Sequence, residues 1–264
     1  MIKVVILDWA GTAVDFGCMA PVAAFREAFE RQGITVTEQE IREPMGMKKI
    51  EHIKRMLEMP RIAESWLETH GQAPTTADIE AIYATFEEVL FQQLANHAEV
   101  KPGVLDTVAV LRNRGIKIGS TTGYTSEMME IVVAEANAQG YQPDHIVTPD
   151  EVDGKGRPAP EMLLTNLAYF KQENNQEVLK LGDTISDILE GKNAGVISVG
   201  VIEGSSQAGY SFDAYQQLSE AEKEALFKRV RREYLEAGAD YVIDQFSELS
   251  ALIETIEAQQ VVTS

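Results

Sequence analysis

The apolar positions along the chain follow two rhythms. Val4 to Leu7 is an unbroken apolar run that ends on an acid, Asp8, before the chain breaks at Ala10-Gly11. So short a run with β-branched members reads as a strand buried on both faces of a parallel sheet. Asp8 then stands at its carboxyl end, either as a site residue or as the cap of the next turn. From Ala20 to about His97 the apolar stripes have helical spacing. Pro21 opens a segment with Val22, Phe25 and Phe29 on one face and Gly33 as its stop, and Thr37 to Glu40 is a capping box. A break at Pro44-Met45-Gly46 precedes a helix carrying Ile50, Ile53 and Leu57, and further helices are expected after Pro60 and Thr76.

After "VKPGV" the rhythm changes. Val104, Val108 and Leu111 form one helical face stopped by Gly115, "IKIGS" at 116–120 is a strand, and a helix runs from about Glu127 to Gly140. The strands "HIVT" (145–148), "VLKLGDT" (178–184), "VISVGV" (196–201) and "DYVID" (240–244) follow. Strand and helix in alternation predict a parallel sheet covered on both faces. The first strand belongs to that sheet and is separated from it by the helical stretch. The expected fold is α/β: a Rossmann-like parallel sheet core from 1–17 and 99–264, with an all-helical cap inserted over 18–98. The polar end "EAQQVVTS" is expected to fray.

Composition narrows the classes of function. A chain of 264 residues, 44% hydrophobic, has the makings of a soluble globular protein with a real core. No apolar run approaches the roughly 18 residues of a membrane span. Asp8 interrupts the one N-terminal candidate for a signal peptide, so no membrane is expected as a partner and the cytoplasm is the expected location. A lone cysteine, Cys18, cannot form an internal disulfide, which agrees with a reducing compartment. The net charge of −19 should repel nucleic acid and anionic membranes. A small anionic substrate would therefore need a local cation, a metal or a helix amino terminus.

Several strands end in chemistry. Asp8 closes the first, Thr122 and Gly123 follow the second, and Asp183 and Asp187 follow the fourth in "GDTISD". "GKGRPAPE" at 154–161 sets Lys155 and Arg157 just before a predicted helix start. Three carboxylates, a hydroxyl and a cation on one sheet edge suit metal-assisted phosphoryl transfer, with hard oxygen ligands for Mg²⁺. "DWAGT", "STTGY", "GRPAP" and "GDTISD" resemble, in order, the four motifs of the haloacid dehalogenase superfamily. That resemblance implies a nucleophile at Asp8 and Mg²⁺ held by Asp8, the main-chain carbonyl of Ala10 and Asp183, with Asp187 supporting the metal shell. It also implies that Thr122 and Arg157 bind the phosphoryl group.

One position departs from the superfamily's majority. Its phosphatases usually carry a second Asp two residues after the nucleophile, to protonate the leaving alkoxide, and here that position is Ala10. General acids contribute ~10²–10⁴-fold, so an ordinary phosphomonoesterase would be poor with alanine there. "PMGMKKIEH" at 44–52, together with "DWAGT" and "DFGC", resembles the carbon–phosphorus-cleaving phosphonoacetaldehyde hydrolase branch. That resemblance implies a small phosphonate substrate, a Schiff base at Lys49 that takes the electron pair in place of the missing acid, and a homodimer through the cap. It also matches Cys18, Met45 and Tyr124 to substrate-pocket positions. His52, one turn from Lys49, is a candidate proton relay or a surface histidine. Met45, Cys18 and Tyr124 could equally be core packing, a buried thiol and a rim aromatic, and Lys48-Lys49 a solvated pair. Glu161 departs from the branch, which has a bulky aromatic there. The competing readings are a Mg²⁺-dependent phosphatase or phosphomutase, a metal-free dehalogenase, and a regulatory protein that only binds a phosphorylated ligand.

Overall fold

The computed structural model describes residues 1–262. Strand β1 (Val4–Leu7) leads into five consecutive helices, α1 (Met19–Glu30), α2 (Glu38–Arg42), α3 (Lys49–Leu57), α4 (Pro60–His70) and α5 (Thr76–Leu94). Helix α6 (Val104–Asn113) returns the chain to the sheet. There β2 (Lys117–Thr121), α7 (Ser126–Ala138), β3 (His145–Val147), α8 (Glu161–Phe170), β4 (Val178–Gly182), α9 (Ile185–Ala194) and β5 (Ile197–Val201) alternate. Helices α10 (Phe212–Gln216) and α11 (Glu220–Glu236) precede β6 (Tyr241–Ile243) and α12 (Leu249–Val262).

All neighbouring strands pair in parallel, in the order β3-β2-β1-β4-β5-β6. The fold is the α/β, Rossmann-like class expected from the sequence, with helices inserted after β1. Strand order reverses between β1 and β4, and the crevice at such a reversal is where open α/β sheets bind ligands. The pairing Leu7 with Leu181, and Leu7 with Ser120, brings the residues after β1, β2 and β4 to one level.

The apolar run of β1 is explained by burial on both faces. Val5 and Leu7 join a core that continues through Phe25, Phe29 and Phe86 of the inserted helices, while Val4 and Ile6 pack on Leu163 and Leu167 of α8. Sheet and inserted helices thus share continuous apolar packing.

Three local features differ from the sequence reading. Helix α1 starts at Met19, ahead of Pro21, because the Asp15 carboxylate accepts the Met19 and Ala20 N–H groups at 2.9 and 3.1 Å. Helix α11 carries no strong apolar stripe and was not anticipated, although its Ser219–Glu222 capping box is written in the sequence. The end expected to fray is helical through Val262, tied down earlier in α12 by buried Ile253 and Ile256; residues 263–264 lie outside the described residues. Among the described residues no helix is long and apolar enough to cross a membrane.

Candidate active site

A small cavity of about 20 Å³ lies over the carboxyl ends of β1, β2 and β4, beneath the inserted helices. By this measure a water needs roughly 10–15 Å³, so the chamber holds about one. From the sheet edge Asp8, Ala10, Thr122, Gly123, Arg157 and Asp183 line it, and Tyr124 follows directly. Cys18, Met45 and Lys49 close it from the other side. Asp187 stands behind this wall, and His52 does not reach it.

Charge at the site is dense and paired. Arg157 Nη2 lies 2.6 Å from Asp8 Oδ1, its Nη1 3.0 Å from Asp187 Oδ1 and its Nε 3.0 Å from Glu190 Oε2. Lys180, in mid-strand of β4 and fully buried, reaches Asp187 and Glu190 at 3.0 and 3.1 Å and donates to Thr121 Oγ1 at 2.9 Å. A buried cation needs such partners. Asp187 and Glu190 are three residues apart on α9, so one helix face presents both acids to both cations. The two cations hold the Asp187 carboxyl below its usual range despite burial.

Asp183 behaves in the opposite way. Burial, then Asp8 and Asp187, push its carboxyl well above the usual range. Asp8, Asp183 and Asp187 offer oxygens that all lie within 4.8 Å of one another. A Cβ on Gly11 would fall 2.0 Å from Asp183 Oδ2, so only glycine lets the loop after β1 approach that carboxylate. Clustered hard oxygens with a shortfall of positive charge fit a divalent cation.

Lys49 opens α3 and is buried. Its Nζ stands 5.3 Å from the Tyr124 ring centroid and 5.8 Å from that of Phe25. Among the described residues no carboxylate lies within ion-pairing distance of it. Burial lowers its pKa, Asp8 acts against that shift and Arg157 reinforces it. Cys18 is no counter-charge, because burial, then Asp15, hold its thiol well above the ordinary value and hence protonated. Lys48 caps α3 outside the cavity, its ammonium against Gly154. His52 is enclosed and stacked on Phe25 at 3.8 Å between centroids; burial, then Lys49, push it well below its ordinary pKa and keep it neutral. The Thr122 hydroxyl accepts the Tyr124 N–H at 3.1 Å, leaving its own proton for a ligand.

Sequence reasoning missed Lys180, Glu190 and Thr121. A lone lysine inside the apolar run "VLKLG" was a signal, since a strand buried on both sides tolerates a cation only when it is paired. Thr12, whose hydroxyl is 3.2 Å from Asp8 Oδ2 and from Asp183 Oδ1, stands in the first motif.

Comparison with known proteins agrees with this geometry. The family model for haloacid dehalogenase-like hydrolases matches residues 2–195. Phosphonoacetaldehyde hydrolases of Bacillus cytotoxicus and Bacillus anthracis are each 47% identical over 263 residues, covering 100% of this chain and 99% of theirs. A crystal structure of a phosphonoacetaldehyde hydrolase-like protein from Oleispira antarctica superposes with a TM-score of 0.94 at 38% identity, covering 98% of this chain and 93% of that one. A β-phosphoglucomutase from Clostridium difficile, at 16% identity and a TM-score of 0.69, shares the fold.

Proposed function

The chain belongs to the haloacid dehalogenase-like hydrolases, in their phosphonoacetaldehyde hydrolase branch, and from that premise we propose that it cleaves the carbon–phosphorus bond of phosphonoacetaldehyde to acetaldehyde and phosphate. The observation that carries the reading is one cavity wall bearing a carboxylate, Asp8, paired with Arg157, facing a buried lysine, Lys49, that lacks an acidic partner.

The uncharged Lys49 amine attacks the aldehyde carbon, water leaves, and a protonated imine forms. The phosphonate oxygens take the Arg157 fork and the Thr122 hydroxyl, which frees Asp8 Oδ1 from its 2.6 Å ion pair. Asp8 then attacks phosphorus; the carbon–phosphorus bond breaks, and its electron pair moves into the imine to give an enamine. No proton is needed on a leaving oxygen, which is why Ala10 suffices where phosphatases keep an acid. Protonation of the enamine and hydrolysis of the imine release acetaldehyde. Water cleaves the aspartyl phosphate, and net consumption is one water. Asp8, the Ala10 carbonyl and Asp183, supported by Asp187, would hold Mg²⁺, which supplies Lewis-acid stabilisation of phosphoryl oxygens when bound. Cys18, Met45 and Tyr124 shape the aldehyde end, and neutral His52 keeps a second positive charge away from Lys49.

The test is release of acetaldehyde and phosphate from phosphonoacetaldehyde with Mg²⁺, with borohydride trapping of the imine and mass spectrometry of the Lys49 peptide. Lys49→Arg keeps charge but cannot form the imine and is expected to lose cleavage while still binding phosphate. Substantial turnover by Lys49→Arg with no adduct would return the protein to the phosphatases. Ala10→Asp is expected to leave phosphonate cleavage no faster and to raise any trace phosphomonoesterase activity; faster cleavage by that variant would refute the role given to position 10.

A further inference from the structure

We propose that Arg42, on the inserted helices, is a positioning residue for Asp183 that acts through the main chain of Ser206; the inference rests on the reading of Asp183 as a metal ligand. Arg42 ends α2, and its side chain crosses to the core with only 10% of its surface exposed. Nη1 donates to the Gly17 carbonyl at 2.7 Å and lies 3.3 Å from both the carbonyl oxygen and Oγ of Ser206. Glu38 Oε1 holds Nε at 2.8 Å, so the fork is aimed by its own helix. The Ser206 N–H in turn donates to Asp183 Oδ2 at 2.7 Å.

One guanidinium therefore joins α2, the turn where the chain leaves the core, and the loop that holds a site carboxylate. The turn gives it a firm partner. Gly17 has φ +85°, a Cβ there would fall 2.2 Å from the Tyr210 carbonyl oxygen, and its N–H donates to Gly204 O at 2.8 Å. Asp183 needs this support. Among the described residues its carboxylate has two donors: the Ser206 amide, and a Thr12 hydroxyl whose single proton is shared with Asp8. With the inserted helices against the sheet, Arg42 fixes Ser206 and Asp183 is aimed; when they lift, that tie is broken.

The experiment is calorimetric titration of Mg²⁺ into the metal-stripped full chain, beside acetaldehyde–borohydride trapping at Lys49, which needs no metal. Losing a partner of a ligand typically weakens metal binding ~10–100-fold, and Arg42→Met is expected in that range, Arg42→Lys between it and wild type, and Ser206→Ala within about twofold of wild type because the amide remains. Imine trapping should stay at the wild-type rate. Arg42→Lys carries the test if Arg42→Met does not fold. Unchanged Mg²⁺ affinity in the Arg42 variants would overturn the inference, as would imine trapping lost in step with affinity, which would make Arg42 a mere fastener. A wild-type chain that binds no Mg²⁺ would instead overturn the metal reading beneath it.

Discussion

At the scale of single residues, the proposed reaction turns on the charge of Lys49. A free lysine with a pKa of ~10.4 is an amine only about once in 2,500 molecules at pH 7, so an unshifted side chain would starve the imine step. Burial favours the uncharged form and outweighs the opposing pull of Asp8 and Asp183, while burial also keeps the Cys18 thiol protonated and the His52 ring neutral. Since the folded pKa is depressed, the reactive amine accumulates at lower pH than in a free lysine. Acetaldehyde carries no ionisable group, so the borohydride-trapped adduct at Lys49 isolates this titration. Its rate should climb with pH with a midpoint below 10.5. A midpoint at or above the ordinary value would mean that Lys49 is solvated. Lys49 could be read in advance because its neighbours in sequence carry the pattern. Lys180 gave a signal only that some partner must exist, and its pairing with Glu190 was not legible because it joins two elements 10 residues apart.

Among the elements, the turn before α3 decides whether the two halves of the site meet. Gly46 has φ +88°, and a Cβ there would fall 2.3 Å from Thr184 Oγ1, the hydroxyl that caps α9 and bonds Asp187. Gly123 faces the same turn, with the Met47 carbonyl oxygen 3.2 Å from where its Cβ would stand. Gly46→Ala must pay the left-handed cost of about 1–2 kcal/mol and also displace either the turn or the cap. We expect kcat/KM to fall at least about tenfold, since that cost alone approaches the 1.4 kcal/mol of one decade in rate. Steady-state kinetics with a parallel thermal melt checks this, and a fully active variant would show that the turn yields freely. Elements with a strong apolar period, from β1 to α5, were legible in the sequence. Helix α11 was not, because its mostly charged surface leaves only Leu226, Val230 and Tyr234 buried.

The whole molecule adds a field and a motion. A net charge of −19 opposes the approach of the proposed anionic phosphonate to Arg157. Screening acts over about 10 Å at 0.1 M salt and should relieve that repulsion, so kcat/KM is expected to rise as ionic strength increases from low values. A fall would mean that the cations of the site, and not the overall sign, govern approach. The cavity of about 20 Å³ has a further consequence. Room for about one water is not room for a phosphonate with an aldehyde arm, so the site has to widen to admit one, and we expect the inserted helices to swing aside for it. Friction thus enters the chemistry: thickening the medium with sucrose should slow the wild-type enzyme when that swing limits turnover, and should leave untouched a variant whose bond-breaking step has been made slower than the swing.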